Sequence, residues 1–202
     1  MRFSVRIIAA LTLTLTLLGH ANAVPAQGQK IMVSGPSPYS VAIVKRVHRA
    51  GGNVVDAAVA AAIGLAVTTP YYAAFGGGGF ALIKIGKDVS VLDFRETAPA
   101  NMNPQTYIDK PMNASLDGGM AVGIPGVPAG LWEMHQKHGK LKWSRLFDEA
   151  INMAQFGFEV SGEWSKQTAD NKARVNKDAL SIFYPKRPAD LGPGEVFKQP
   201  RL

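Results

Sequence analysis

The segment from Gly76 to Pro99 constrains the fold of this chain more than any other. It opens on four consecutive glycines, continues as two runs rich in β-branched and aromatic residues, and leads to Arg95. Two such runs joined by the glycine-containing loop Gly86-Lys87-Asp88 predict a β-hairpin. Its exit brings a guanidinium, a group whose planar fork suits a carboxylate. The segment therefore predicts a rigid strand pair able to hold a small anion.

The four glycines before the hairpin allow two interpretations. Residues without a Cβ let another backbone segment, or a ligand, approach very closely. A phosphate cradle is the alternative, but glycine-rich nucleotide fingerprints open a helix, whereas this run leads into a strand. Tight packing is therefore the favoured interpretation.

Composition and charge limit the classes of function. At 202 residues, with 47% apolar and 18% charged residues, the chain can form one globular domain with a sizeable core. The formal net charge of +7 includes Arg2 and Arg6, so the rest carries +5, scattered without a long basic run. A nucleic-acid partner is not expected, because binding needs basic residues concentrated on one face. The absence of cysteine excludes disulfides, thiol nucleophiles and thiolate metal sites.

The N-terminus matches an export signal. Residues 1–23 carry two arginines, an apolar run and the small-residue site Ala21-Asn22-Ala23. This order predicts a secretory signal peptide cleaved after Ala23, with no stable membrane span afterwards and a periplasmic or secreted product. Cleavage would leave residues 24–202 as the mature part. An uncleaved membrane anchor is the alternative.

Capping residues predict two helices before the glycine run. Ser37 followed by Pro38 predicts the start of the first helix, which Gly51 ends. Asn53 predicts the cap of a second, alanine-rich helix, with Asp56 in its first turn to complement the helix dipole. That helix is expected to approach a sheet closely and to end at Thr68-Thr69-Pro70.

The remaining chain predicts loops and three more helices. Residues 101–119 read as a long polar loop, and residues 121–124 as a short strand. Helices are expected from Leu131 to about His138, from a cap at Ser144 to Gly157, and from a cap at Ser161 to about Asp178. The rest, rich in proline, is predicted to be loop.

Two further sets of side chains are weighed as candidate sites. His135 and His138 lie three apart on one predicted helix, as metal ligands can, but no third ligand is evident and a solvated face is favoured. Thr68 and Thr69 invite the idea of a threonine nucleophile, yet they lie at a helix exit before a proline. No metal or cofactor is expected.

Four segments in this order resemble the γ-glutamyltranspeptidase (glutathione hydrolase) family. They are residues 51–58, residues 76–80, the run Arg95-Glu96-Thr97-Ala98-Pro99 and residues 122–126. The resemblance covers nearly everything after residue 33. Ala74 and Phe75 depart from it, since a glycine followed by an aliphatic residue is more usual there.

The resemblance implies a fold and an activity. The fold is α/β (α+β), an N-terminal-nucleophile hydrolase-like four-layer αββα sandwich, incomplete in this chain. Family members cleave themselves to expose an N-terminal threonine, whose hydroxyl attacks the γ-glutamyl amide of glutathione and related compounds. That threonine begins the small subunit, the expected heterodimer partner from the same precursor. It would lie beyond Leu202, so no catalytic residue is expected in this chain.

The resemblance assigns one substrate-binding residue, Arg95, which would hold the α-carboxylate of the γ-glutamyl donor. An ordinary surface arginine paired with Asp93 is the alternative. Glu96 is expected on the opposite face, bracing the backbone or forming a salt bridge. Two other readings of the whole chain are a secreted, non-catalytic binding module for amino-acid-like anions and an inactive fragment.

Overall fold

The structure is a computed structural model that describes residues 27–185 and 190–202. The predicted signal peptide, residues 1–23, lies outside the described residues. Residues 27–32 belong to a separate unit from residues 33–202 and contain no helix or strand in the described part. Helices and strands alternate irregularly along residues 33–202, which confirms the mixed α+β class. Among the residues described, no helix combines the length and apolarity that a bilayer crossing needs.

The elements run in the following order. They are α1 (Pro38–Arg49), α2 (Val54–Thr68), β1 (Phe80–Ile85), β2 (Asp88–Asp93), α3 (Val127–His138), α4 (Asp148–Phe156), β3 (Phe158–Glu159), α5 (Gly162–Asn171), α6 (Lys177–Phe183) and β4 (Val196–Phe197). Antiparallel pairs form between β1 and β2 and between β3 and β4.

The two predicted N-caps are confirmed. Ser37 caps α1 with its hydroxyl on the Tyr39 N–H, and Pro38 occupies the first turn. Asn53 caps α2 through a capping box in which the Asp56 carboxylate accepts the Asn53 N–H at 2.9 Å. Gly51 has φ of +84° just past α1, as a helix-ending glycine requires.

Helix α2 lies at the centre of the core. Val59 and Ile63 are fully buried, and apolar residues surround most of the helix, as expected for an interior helix. Its main neighbours are α1, α3 and α4, so the predicted close approach is made to helices and not to a sheet. Gly64 permits it, because a Cβ there would lie 2.2 Å from Ile43 Cδ1.

The predicted hairpin is confirmed, with a shorter loop. Ile85 pairs with Asp88, so only Gly86 and Lys87 form the turn, and Gly86 has φ of +61°. Glycine removes the steric cost of that dihedral. The three-residue loop prediction was wrong because Asp88 already belongs to β2.

Proline and packing shift two helix starts. Helix α3 begins at Val127 and not at Leu131, because Pro128 lies in the first turn, where its missing N–H costs no hydrogen bond. Ser144 caps nothing: the 3₁₀ turn Trp143–Phe147 precedes α4, held by the Trp143 ring packing edge-on against Phe147. Gly157, with φ of +97°, ends α4 as predicted.

Two other predictions need correction. Residues 121–124 do not form a strand; Ile124 makes one isolated bridge with Thr97, since Pro125 beside it has no N–H to continue a ladder. The helix capped by Ser161 ends at Asn171, well before Asp178. Asn176 then caps the separate helix α6, its side chain accepting the Ala179 N–H at 2.9 Å.

Candidate substrate-binding site

Arg95 lies just past the end of the hairpin. Strand β2 ends at Asp93, but Phe94 and Gly79 still exchange two backbone hydrogen bonds of 3.2 and 3.0 Å. The Arg95 guanidinium lies 5.9 Å from the Phe80 ring centroid, within cation–π range. Its side chain is 65% exposed, so the guanidinium is held by the hairpin yet open to a ligand.

The guanidinium keeps free donors. The guanidinium pairs with Glu96, with Nε 3.4 Å from Glu96 Oε2, and within the described ranges neither Nη1 nor Nη2 donates a hydrogen bond. The alternative pairing with Asp93 is not observed, because Asp93 Oδ1 accepts the backbone N–H of Arg95 at 3.0 Å. Two terminal nitrogens are therefore available to bind a carboxylate in the bidentate manner that arginine favours.

Glu96 lies beside Arg95 and not on the opposite face. The expected alternation of side chains applies to a strand, and β2 has already ended at Asp93. The salt-bridge part of the prediction is confirmed, with an exposed fraction of 35% for the Glu96 side chain. An adjacent carboxylate keeps the guanidinium oriented while leaving its far side open.

The glycine run is closely packed at Gly78 and Gly79, which confirms the favoured interpretation for these two positions. The Gly77 carbonyl accepts the N–H groups of Gly126 and Val127 at 2.9 and 3.0 Å, fixing the run to the start of α3. A Cβ on Gly78 would lie 2.5 Å from the Glu96 nitrogen, and one on Gly126 would lie 1.9 Å from the Phe94 carbonyl oxygen. These separations exclude a side chain at either position.

Phe94 is a positioning residue that the sequence reasoning missed. A Cβ on Gly79 would lie 2.9 Å from its ring, and one on Gly130 only 2.3 Å from it. The ring is thus clasped between the glycine run and α3, which fixes the backbone immediately before Arg95. The spacing of Gly126, which caps the start of α3, and Gly130, one turn into the helix, is the sequence signal that could have indicated a bulky partner.

A cavity adjoins the site. It measures about 250 Å³ and its walls include Glu96, Phe94, Tyr72 and residues 77–79. Arg95 is not one of its lining residues, because its side chain follows the Phe80 face of the hairpin. Glu96 therefore connects the cavity to the guanidinium.

A hydrogen-bond network fastens the turn that precedes the glycines. The Tyr72 hydroxyl donates to Glu163 Oε1 at 2.6 Å and accepts from Gln167 at 2.9 Å. Hydrogen bonds from Tyr72 and then Gln167 lower the pKa of the Glu163 carboxyl, and the same bond to Glu163 raises the pKa of the Tyr72 hydroxyl. Burial raises the pKa of its neighbour Tyr71. One wall of the cavity is thereby tied to α5.

The other candidate side chains, Thr68, Thr69 and His135, form hydrogen bonds within the fold. The hydroxyls of Thr68 and Thr69 donate to helix carbonyls four residues back, at 3.0 Å each, which does not suit a nucleophile. The predicted solvated face is wrong for His135, which is buried. Its Nε2 lies 2.8 Å from the Leu141 carbonyl oxygen. Within residues 27–185 and 190–202, no group of three potential ligands surrounds a metal position.

Comparisons with known proteins identify relatives over most of the chain. A profile of the γ-glutamyltranspeptidase family matches residues 40–202. The glutathione hydrolase proenzyme of Pseudomonas aeruginosa is 39% identical over 84% of this chain and 31% of its own length. The chain thus spans about a third of the length of that relative.

Solved structures show the same fold. The γ-glutamyltranspeptidase of Helicobacter pylori superposes with a TM-score of 0.82 at 33% identity, over 87% of this chain and 52% of the solved chain. The enzyme from Pseudomonas nitroreducens, complexed with L-DON, gives 0.78 at 38% identity, with the same coverage. These neighbours confirm the N-terminal-nucleophile hydrolase fold class, and the chain belongs to the γ-glutamyltranspeptidase family.

Proposed function

We propose that this chain is the N-terminal part of the large subunit of a secreted γ-glutamyltransferase or glutathione hydrolase. The observation that carries the proposal is the arrangement of Arg95 in a member of this family: it is anchored by its backbone, flanked by Glu96, and open at both terminal nitrogens. An α-carboxylate of glutathione or another γ-glutamyl compound is the anion that such a fork would take.

In this proposal the chain positions the donor and another part of the protein performs the chemistry. The N-terminal threonine of the small subunit attacks the γ-carbonyl carbon while its own amine accepts the hydroxyl proton. That proton then passes to the amide nitrogen, the C–N bond breaks, and the amine half of the donor leaves. Water or an acceptor amine then releases the glutamyl group. Arg95 contributes by fixing the distance between the donor's α-carboxylate and the amide that is cleaved.

The exposed face of the hairpin supports a further portion of polypeptide. Leu82 and Val91 are directly paired and expose 74% and 70% of their surfaces, with Phe80 and Val89 on the same face. A two-stranded sheet is only marginally stable by itself, and an apolar face of this kind is normally covered. Since the relatives are much longer and are named proenzymes, a small subunit cut from the same precursor is the proposed cover.

Export is proposed from the first residues. The basic start, apolar run and Ala21-Asn22-Ala23 site occur in the order of a signal peptide. A periplasmic or secreted location follows if this segment is removed.

A chimera tests the function directly. Residues 33–202 would replace the matching region of the P. aeruginosa proenzyme, which supplies the remaining length. We expect the chimera to cleave itself and to hydrolyse a chromogenic γ-glutamyl anilide and glutathione. The matched control is the same chimera with the threonine proposed to begin the small subunit replaced by alanine. This variant should neither cleave itself nor hydrolyse either donor.

The result also separates the alternatives. A chimera that cleaves itself and folds but turns over no γ-glutamyl donor would contradict the proposal. If it still bound glutamate in equilibrium dialysis, a non-catalytic binding module would be the better account.

A further inference from the structure

A second cavity lies between α5, α6 and the loop that leads to α3. It measures about 510 Å³, within the range of small-molecule sites, whereas the cavity beside Glu96 measures about 250 Å³. The two cavities have no lining residue in common, and Arg95 lines neither of them. The larger cavity is therefore separate from the candidate donor site.

Three aromatic rings line the larger cavity, here called the aromatic cavity. They belong to Tyr71, Phe183 and Tyr184, and each is held by a neighbour. The Tyr71 ring packs edge-on against Tyr72 with centroids 4.6 Å apart, and the Phe183 ring stacks on Phe197 at 5.7 Å. The Tyr184 hydroxyl donates to a carbonyl of α5, and the residue is only 3% exposed. Rings fixed in this way form a preorganised surface for another flat ring.

The charged groups in the walls satisfy each other. Among the described residues that line the cavity, only Arg174 and Asp117 are charged, and Arg174 Nε donates to Asp117 Oδ1 at 2.7 Å. The other two nitrogens of this guanidinium donate to Asn171 Oδ1 and to the Leu116 carbonyl, at 3.1 Å each. A charged ligand would lose its hydration without finding a free counter-charge, so an uncharged ligand fits this cavity best.

Gln167 provides a hydrogen-bond acceptor in the wall. Its Nε2 donates to the Tyr72 hydroxyl and to Glu163 Oε1, at 2.9 Å each. A carboxylate such as Glu163 can only accept, which fixes the amide with its nitrogen on this side. Within residues 27–185 and 190–202, Gln167 Oε1 accepts no hydrogen bond. Since Gln167 lines the cavity, this oxygen is an acceptor available to the hydroxyl or N–H of a ligand.

We propose that the aromatic cavity binds a small, uncharged aromatic molecule that carries a hydroxyl or an N–H. The ligand's ring packs against the three fixed rings, and its donor group bonds to Gln167 Oε1. The paired Arg174 and Asp117 close the wall without adding net charge. Because the two cavities share no lining residue, this ligand and a γ-glutamyl donor bind without displacing each other.

Binding of 2-naphthol to the chimera described above tests this proposal. We expect saturable binding in equilibrium dialysis, unchanged by an excess of glutamate. The matched probe is 2-methoxynaphthalene, which has the same ring system but no donor. It should bind about fivefold more weakly, because a single hydrogen bond contributes about that much in affinity.

Three variants locate the bound probe. Val175→Phe puts a ring into the space of the cavity and should weaken binding of both probes at least about tenfold. Its matched control is Val54→Phe, at a 64% exposed position outside the cavity, which should bind 2-naphthol like the unmodified chimera. Gln167→Leu removes the acceptor and should make the two probes bind equally. All three variants should keep the circular dichroism spectrum of the chimera, which shows that they fold.

Four results would overturn the proposal. They are no saturable binding of 2-naphthol, its displacement by glutamate, equal binding by the Val175→Phe and Val54→Phe variants, and a preference for 2-naphthol that survives in Gln167→Leu. An inactive chimera that still binds 2-naphthol as expected would contradict the function proposed above and support this site.

Discussion

Replacing Asp56 should destabilise the protein more than replacing any exposed acidic residue. Its carboxylate is fully buried and accepts three backbone N–H groups, from Asn53, Lys140 and Leu141. Asp56→Ala leaves all three without an acceptor, and a buried unsatisfied donor costs about 1–3 kcal/mol. Because residues 139–142 are only partly buried and water can reach some of these groups, we expect a total loss of about 3–5 kcal/mol in free energy of unfolding.

Asp56→Asn tests the contribution of the negative charge to stability, because asparagine has nearly the same shape as aspartate. The amide keeps one acceptor oxygen but turns an NH₂ group towards backbone donors, so we expect a loss of about 2 kcal/mol. Asp88→Ala, at an exposed position, is the control and should change stability by no more than about 0.5 kcal/mol.

Chemical denaturation of the chimera, followed by circular dichroism, measures these losses. Amide hydrogen exchange adds a local readout, since Lys140 and Leu141 should exchange much faster in Asp56→Ala. A loss below about 1 kcal/mol, with unchanged exchange at both amides, would refute the role assigned to Asp56.

Three other outcomes are expected. Gly126→Ala should prevent folding or self-cleavage of the chimera, because the new Cβ would lie 1.9 Å from the Phe94 carbonyl oxygen. Gly119→Ala is the control and should be tolerated, since the space around Gly119 is open. Soluble yield and self-cleavage, followed on a gel, compare the two variants. Intact-mass measurement of the exported product should show a chain beginning at Val24, and a product retaining Met1 would disprove cleavage. Residues 24–202 alone should aggregate and turn over no γ-glutamyl anilide, so activity of the pure fragment would place the nucleophile within it.

Local rules predicted the parts of the fold that depend on neighbours in sequence. The caps at Ser37 and Asn53 and the hairpin were predictable because each uses residues within a few positions. Ser144 failed as a cap because packing of Trp143 determines that turn. The partners of Asp56 at Lys140 and Leu141 lie more than 80 positions away, and no local pattern indicates them.

The candidate site was predicted to a similar extent. A motif selected Arg95 as the candidate, and its role in binding stays a prediction. The glycines predicted the close packing that the structure shows. The clasp around Phe94 and the approach of Glu96 required the three-dimensional path of the backbone after β2.

The central claim is that Arg95 recognises the α-carboxylate of the donor. The most direct test compares the chimera and its Arg95→Ala variant on a γ-glutamyl anilide and on the same donor with its α-carboxylate amidated. Loss of two charge-assisted hydrogen bonds, at about 1.5–3 kcal/mol each, predicts at least about a hundredfold fall in kcat/KM on the first donor. Lysine at this position should restore only part of it.

The amidated donor decides between recognition and structure. On it, the chimera and Arg95→Ala should have nearly equal kcat/KM, and both should still cleave themselves, since that step involves no free carboxylate. Equal losses on both donors, or a variant that fails to mature, would contradict the account and make Arg95 a structural residue.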